Sequence, residues 1–200
     1  MTVRGKTADG GTGHALDPLR QLVRGFDRLL LRTNDEAVIL NDGGALLARL
    51  VATDDWLPAS HAEPDVARYR QYLLHSDPGG RFSIVSFVWG PGQSTPVHDH
   101  TVWGLVGVLR GAETSESFER RATGLHWIRT DRLEAGEVEA ISPRIGDIHR
   151  VTNAHADRVS VSIHVYGADI GIVERHIFDA AGHSRAFVSG YADAPALDLE

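Results

Sequence analysis

The sequence predicts a mainly β protein whose strands follow a helical N-terminal segment. Up to about residue 76, apolar side chains recur at helical spacing. Beyond residue 80, short segments rich in β-branched and aromatic residues alternate with turn residues, a pattern typical of a sandwich or a barrel. We therefore expect one domain over residues 15–200, with helices in 15–76 and a β-barrel in 81–190, behind a flexible tail over 1–14.

Three helices are predicted before the strands. The first begins at Asp17 and Pro18, because Asp caps a helix and Pro suits its first turn. The second covers Glu36 to Leu50 and is expected to be interrupted at Gly43-Gly44. The third runs from about Pro64 to His75, where a Pro-Gly-Gly turn stops it.

Eight strands are predicted after residue 80. Each is a short run of residues that favour strands, and Gly- or Pro-containing turns separate most of them. The predicted strands are Arg81 to Trp89, Val102 to Leu109, Glu113 to Arg120, Leu125 to Asp131, Val138 to Ile141, Arg158 to Tyr166, Ile172 to Phe178 and Arg185 to Val188.

The composition excludes several classes of function. The formal net charge is -7 and no basic run occurs, so we expect neither nucleic acid nor an anionic membrane as a partner. No segment approaches the roughly 20 apolar residues of a membrane-spanning helix, and the N-terminus lacks the apolar run of a signal peptide, which predicts a cytoplasmic location. Because the chain has no cysteine, disulfides, thiolate metal sites and cysteine nucleophiles are excluded.

A pair of histidines separated by one residue is the first candidate for metal binding. In an extended strand, residues i and i+2 point to the same face, so His98 and His100 can aim both imidazoles at one point. Imidazole suits iron, zinc, copper or nickel, and a third ligand would come from a distant strand. In isolation, however, such a pair is better explained as a chance occurrence on a solvated strand.

Two spaced motifs favour the metal site over the chance pair. The chain resembles the cupin superfamily, on whose two motifs fall Gly92, His98, His100 and Gly111, and then Gly146, His149 and Asn153. This resemblance implies a double-stranded β-helix, the jelly-roll barrel, and a metal bound by His98, His100 and His149. The glutamate of the first motif is replaced by Gly104, which implies three neutral ligands. A metal so bound keeps its positive charge and attracts anionic donors such as a thiolate.

The other histidines are weaker candidates. His155 is a rival third ligand, but it lies in a predicted loop, where a structural role is the better interpretation. His126 and His176 lie in predicted strands without a matching partner, and we interpret both as ordinary strand residues.

A second candidate constellation lies on a later strand. Ser162, His164 and Tyr166 share one strand face because they alternate with apolar residues. Taken alone, this pattern is typical of a face that meets water. A line of hydroxyl, imidazole and phenol also suits an outer shell that sets a tyrosine beside a metal.

Together these features resemble the thiol dioxygenases of the cysteine dioxygenase family, in particular the bacterial branch that oxidises 3-mercaptopropionate. The resemblance rests on Phe82 to Gly111 and Ser162 to Asp179, and covers roughly residues 64 to 190. It implies one Fe(II) per chain, and oxidation of a small thiol carboxylate by O2 to a sulfinic acid. It also implies an unmodified Tyr166, because no cysteine is available to crosslink it.

The resemblance assigns roles to the remaining residues. It implies that Tyr166 hydrogen-bonds substrate or oxygen and is oriented by His164 and Ser162. It places the substrate carboxylate on Arg175, nine residues after the tyrosine, with help from Gln71. The alternative for Arg175 is a surface arginine paired with its sequence neighbour Glu174.

Several alternatives stay open at the level of sequence. Cysteine and mercaptosuccinate also offer a thiol and a carboxylate, although 3-mercaptopropionate is favoured. An oxygenase acting on a diketone through three histidines is a further enzymatic alternative, and a metal-binding cupin sensor module is the non-enzymatic one. The sequence does not predict the oligomeric state.

Overall fold

The structure, a computed structural model, describes residues 15–199, so the predicted tail over 1–14 lies outside the described residues. Two helices come first, α1 (Asp17–Arg32) and α2 (Glu36–Val51), followed by a 3-10 turn at Ala59–His61. The strands are β1 (Arg70–Ser76), β2 (Ser83–Trp89), β3 (Gly104–Arg110), β4 (Ala112–Arg121), β5 (Gly124–Glu134), β6 (Val138–Ile141), β7 (His149–Asn153), β8 (Ser160–Tyr166), β9 (Arg175–Phe178) and β10 (Ser184–Phe187). The predicted mainly β fold with an N-terminal helical segment is confirmed.

The strands form two antiparallel layers that face each other. One layer is a five-stranded sheet in the order β1-β2-β8-β3-β6. The other contains a three-stranded sheet, β5-β4-β7, and the pair β10-β9. The segment around His98 joins these two sheets, because His98 bridges His149 of β7 and Ile177 of β9. A histidine-bearing connection is thus built into the wall of the barrel.

The five-stranded sheet is covered on both faces, and β2 and β8 are buried along their whole length. On the outer face, Ile84 and Ile163 belong to a cluster that contains Phe26 and Leu47 of the two helices. On the inner face, the alternate residues of the same strands form a second cluster with Val151 of the opposite layer. The helices therefore close the outside of the sheet and leave its inner face to line the barrel.

The predicted third helix is wrong, because residues 70–76 form strand β1. This strand pairs antiparallel with β2, with Gln71 opposite Phe87. Its run Tyr72, Leu73 and Leu74 fits both a helical and a strand period, and the pairing with the edge of the sheet decides between them. Gln71 consequently lies on a strand and not on a helix.

Two smaller predictions about the helices also need correction. Helix α2 continues through Gly43-Gly44. A Cβ atom on Gly43 would lie 3.0 Å from both Phe26 and Leu105, so a glycine at this position allows α2 to approach its neighbours closely. Asp17 is the first residue of α1 and does not cap it, since Leu16 occupies the cap position.

The strand predictions differ from the structure mainly at the ends. Strand β7 was not predicted, while the other strands beyond residue 80 occur within a few residues of their predicted bounds.

Within residues 15–199, no helix is long and apolar enough to cross a membrane. The assignment of one domain stays a prediction.

Candidate metal centre

Three buried histidines meet inside the barrel. His98 and His100 lie on the segment between β2 and β3, and His149 is the first residue of β7. One ring nitrogen of each lies within 4.8 Å of the others. The backbone N–H of His98 donates to His149 O, and that of His149 donates to His98 O, both at 2.9 Å. This reciprocal pair holds the two chain segments in register and brings the predicted ligands together.

Each of the three rings has its Nδ1 engaged on the side away from the cluster. The partners are Pro96 O for His98 (3.0 Å), Asp147 Oδ1 for His100 (2.9 Å) and Ser115 Oγ for His149 (3.5 Å). Such contacts fix ring orientation and leave Nε2 with a lone pair for a metal.

Asp147 holds the turn that presents His100. Its carboxylate accepts from the backbone N–H groups of His100 and Thr101, each at 3.0 Å, besides the ring nitrogen of His100. Thr101 has a φ of 62°, a conformation that is rare for a β-branched residue. Burial alone would raise the pKa of Asp147, but the hydrogen bonds from His100 and Thr101 lower it, so the carboxylate is ionised.

The electrostatics of the cluster suit a metal cation. Burial, with a smaller contribution from His100, lowers the pKa of His98 to about 3, and burial lowers the pKa of His149 well below its ordinary value. Both imidazoles are therefore neutral near neutral pH, the form that binds metals. Three imidazole nitrogen donors fit iron(II) and other divalent transition metals.

The position of the missing cupin glutamate is closed by packing. A Cβ atom on Gly104 would lie 3.0 Å from Cδ1 of Tyr166 and 3.1 Å from Ile141. A carboxylate side chain at residue 104 would therefore require Tyr166 to move. Among residues 15–199, no acidic residue joins the three histidines as a possible ligand.

The predicted Ser-His-Tyr line is formed on β8. Ser162 Oγ lies 2.8 Å from His164 Nε2, and His164 Nδ1 lies 2.7 Å from Tyr166 Oη. The ring of Tyr166 stacks on His100, with the centroids 5.5 Å apart. Burial raises the pKa of Tyr166, so its hydroxyl keeps its proton, while burial lowers the pKa of His164 well below its ordinary value. The line thus ends in a phenol beside the three histidines.

The three histidines, His164 and Tyr166 line one cavity of about 210 Å³. Most of its remaining wall is aromatic or aliphatic, and the side chains that form it include Tyr69, Phe87, Trp89, Val151, Ile177 and Phe187. No aspartate or glutamate is among the residues that line it. The cavity has room for a small molecule and favours a negative charge.

Arg175 reaches this cavity from the first position of β9. It is 3% exposed, its guanidinium lies 4.7 Å above the ring of Phe187, and one terminal nitrogen donates to Ser189 Oγ at 2.6 Å. Its Nε has no hydrogen-bond partner among the described residues. The structure pairs it with no carboxylate in residues 15–199, Glu174 included, so the positive charge remains available to a ligand.

Gln71 lies on the cavity wall next to Arg175. Its amide nitrogen donates to Ser189 Oγ at 2.9 Å and to Gly190 O at 2.7 Å. Ser189 therefore links the two side chains that were expected to bind a carboxylate. No sequence motif marks Ser189, because it meets these two side chains only through the return of the chain after β10.

Comparison with known proteins places the chain in a family. The model of the family "Cysteine dioxygenase type I" matches residues 44–179, more than half of the chain. The chain belongs to this family. Human cysteine dioxygenase type 1 is 28% identical over 130 residues, which are 62% of this chain and 63% of the human protein. The chain thus matches less than two thirds of the length of this curated relative.

Two solved structures are similar to this chain of the cysteine dioxygenase type I family. A protein from Klebsiella pneumoniae with a double-stranded β-helix domain is 14% identical and has a TM-score of 0.45, covering 66% of this chain and 92% of that one. An RmlC-like cupin from Desulfovibrio desulfuricans is 22% identical with a TM-score of 0.41, covering 53% and 89%.

The other histidines considered as candidates, His155, His126 and His176, lie outside the cluster. His155 follows β7 in a loop, His126 lies beside Thr123 on the exposed hairpin, and His176 pairs with Asp99 at 3.0 Å. Sequence reasoning missed Asp147 as well as Ser189. An aspartate two residues before His149 was a usable signal, because metal-binding histidines commonly hydrogen-bond a carboxylate.

Proposed function

We propose that the protein is a non-haem iron dioxygenase that oxidises a small thiol carboxylate, preferably 3-mercaptopropionate, with O2 to its sulfinic acid. The observation that carries the proposal is one cavity that combines three buried histidines, a tyrosine hydroxyl and a buried arginine without an acidic partner. Membership of the cysteine dioxygenase type I family supports the same reaction class.

The proposed cofactor is one Fe(II) per chain, held by His98, His100 and His149. These side chains fit the ion, since all three are buried, two have pKa values depressed by burial, and their Nδ1 atoms are already engaged. When bound, iron would supply a cationic centre for thiolate and O2 and the capacity for electron transfer between them.

The substrate carboxylate would bind Arg175, with Gln71 beside it. A guanidinium offers parallel donors to a planar carboxylate, and the Nε of Arg175 lacks a partner among residues 15–199. Tyr166 would direct its hydroxyl towards the substrate or O2, because His164 and Ser162 fix the position of the phenol oxygen.

The charge of the cavity favours 3-mercaptopropionate over cysteine. An ammonium group would require an acidic partner, and no carboxylate lines the cavity. Neither Glu174 nor Asp99, the acidic residues nearest in sequence to the candidate site residues, is part of its wall. A thiol acid without an amine leaves no buried charge unpaired.

Oxygen consumption with Fe(II)-loaded protein and three thiols tests the proposal. We expect the highest kcat/KM for 3-mercaptopropionate, with cysteine and mercaptosuccinate lower. A preference for cysteine of tenfold or more would make the protein a cysteine dioxygenase instead. Iron binding without oxidation of any thiol would favour the alternative of a metal-binding sensor module.

Arg175→Ala tests the carboxylate site. Loss of a charge-assisted contact should cost about 1.5–3 kcal/mol, or roughly one to two decades in kcat/KM for 3-mercaptopropionate. Arg175→Lys should recover only part, because the two-pronged geometry is gone. Arg121→Ala, which removes an exposed arginine of β4, is the matched control and should behave like wild type. Wild-type kinetics in Arg175→Ala would contradict the assignment.

A further inference from the structure

Ser189 lies on the segment that follows β10, and it lines the cavity together with Arg175 and Gln71. Its Oγ lies 2.6 Å from a terminal nitrogen of Arg175 and 2.9 Å from Nε2 of Gln71. Guanidinium and amide nitrogens only donate, so the serine oxygen is the acceptor in both hydrogen bonds. The hydroxyl of Ser189 therefore stands between the two side chains that were expected to hold a carboxylate.

The proton of the Ser189 hydroxyl is not used by the protein. A hydroxyl oxygen has two lone pairs and one proton. Arg175 and Gln71 occupy both lone pairs. Within residues 15–199, these are the two hydrogen bonds of the hydroxyl, and neither of them uses its proton. The proton is thus available to an acceptor that enters the cavity.

The amide of Gln71, in contrast, has no proton left for a ligand. Its Nε2 carries two protons, which go to Ser189 Oγ and, at 2.7 Å, to the backbone oxygen of Gly190. Because a backbone oxygen only accepts, this second bond also fixes which end of the amide faces Gly190. The other polar atom of the side chain is an oxygen, which cannot donate to a carboxylate.

Arg175 has unused donors beside Ser189. Its buried Nε has no hydrogen-bond partner among the described residues, and the terminal nitrogen that binds Ser189 carries a second proton. A planar carboxylate accepts well from two nitrogens of one guanidinium. The short contact between Ser189 Oγ and Arg175 places a hydroxyl donor next to these nitrogens.

The backbone on both sides of Ser189 is anchored. Before it, Phe187 pairs with Arg175 in the hairpin of β9 and β10. After it, the N–H of Ala192 donates to the backbone oxygen of Gln71 at 2.8 Å. Ser189 is an exposed residue, yet its position relative to Arg175 and Gln71 is held from both directions.

We propose that Ser189 donates its hydroxyl proton to the substrate carboxylate bound by Arg175, and that Gln71 is a positioning residue that holds Ser189. The inference rests on the proposed function, because a thiol carboxylate supplies the acceptor. The carboxylate then receives donors from the guanidinium and one from the hydroxyl. The contribution of Gln71 passes through the serine and not through a contact of its own with substrate.

Oxygen consumption by the iron-loaded protein with 3-mercaptopropionate tests the contact. Ser189→Ala should lower kcat/KM by roughly 10-fold, the lower end of the range for a hydrogen bond to a charged group, because the residue is exposed. Ser189→Thr keeps the donor and should stay within about threefold of wild type. Ser184→Ala, which removes an exposed hydroxyl of β10 outside the cavity wall, is the matched control. Wild-type kcat/KM in Ser189→Ala would overturn the proposal.

An Arg175→Ala background separates direct donation from an effect through the arginine. A serine that only oriented Arg175 would make no further difference in this background. We expect Ser189→Ala to cost at least about another threefold there, since Gln71 still holds the hydroxyl. The absence of a further loss would refute the direct contact. Gln71→Ala should add no loss to Ser189→Ala, and an added loss would assign Gln71 to the carboxylate itself.

Binding of propionate, which has the carboxylate but no thiol, does not depend on turnover. In a calorimetric titration of the iron-loaded protein, Ser189→Ala should raise its dissociation constant by roughly 10-fold, while Ser184→Ala should not change it. Propionate binding that depends on Ser189, in a protein that oxidises no thiol, would refute the proposed function and leave the role of Ser189 intact. Thiol oxidation by wild type, with equal propionate affinity in Ser189→Ala, would refute the role of Ser189 alone.

Discussion

The two faces of β8 are equally buried but differ in their chemistry. On the outer face, Ile163 and Val165 pack in the cluster that includes both helices. On the inner face, Ser162, His164 and Tyr166 carry hydrogen-bonding groups that satisfy one another. Burial therefore does not distinguish structural from functional positions in this strand, whereas the alternation of side chains does.

The difference between the faces separates two kinds of expected effect. Changes on the face towards the helices should alter the free energy of unfolding and leave the chemistry intact. Changes on the face towards the cavity should alter metal binding or turnover in a protein that still folds. A substitution on one face that changed both the free energy of unfolding and the turnover would contradict this separation.

The largest effect is expected for the histidines of the cavity. His98→Ala and His149→Ala each remove one of three ligands, so iron content should fall from about one per chain and activity should drop by more than the roughly 10- to 100-fold typical of outer-shell changes. Elemental analysis of the purified variants measures this. His155→Ala is the matched control and should retain iron. Full iron retention in both ligand variants would refute the site.

On the opposite face, Ile163→Ala should mainly affect stability. Removal of a fully buried aliphatic side chain typically costs about 2–5 kcal/mol, whereas Ile163→Val should cost about 0.5–1.5 kcal/mol. Denaturant unfolding of the iron-loaded protein gives these values. Iron content and kcat of the folded variants should remain at the wild-type level. A selective loss of turnover would show that the helix-facing side also controls the chemistry.

Tyr166→Phe should give the converse result. The variant keeps the ring that stacks on His100 and removes one hydroxyl, so iron should stay while turnover falls by about 10-fold to 100-fold. Steady-state oxygen consumption and iron analysis measure the two parts separately. Because the chain has no cysteine, the intact mass of wild type should equal that of the plain sequence. Unchanged kinetics would mean that the hydroxyl has no catalytic part.

Local sequence patterns explain which features could be predicted. Most strands beyond residue 80 could be predicted because their residues favour strands and because turns separate them. The three histidines and the line on β8 were proposed from motifs and spacing, and the structure brings each group together. Their roles stay predictions.

The features that the sequence does not predict depend on contacts between distant parts of the chain. The sequence predicts a helix where β1 lies, because the apolar run of this segment fits both periods and only the pairing with β2 decides between them. Asp147 meets His100 across 47 residues, and Glu113 meets Ser160 across the same separation. No local pattern marks Glu113, and the place of Asp147 two residues before His149 does not show that its partner is His100, because the layers of the barrel set these contacts.

The smallest effect is expected from substitution of Arg185, which allows two arginines of the same cavity to be compared. Arg185 of β10 lines the cavity but is exposed, whereas Arg175 is buried, so water screens the charge of Arg185. Exposed charge pairs contribute about 0.2–1 kcal/mol, which corresponds to a change of at most about fivefold. Arg185→Gln should therefore lower kcat/KM by about this factor for mercaptosuccinate, whose second carboxylate can reach the mouth of the cavity. It should leave kcat/KM for 3-mercaptopropionate nearly unchanged, since that substrate's single carboxylate is bound by Arg175.

Added salt should lower kcat/KM for mercaptosuccinate in the wild type and not in the variant. An equal loss with both thiols would place Arg185 in the carboxylate site itself.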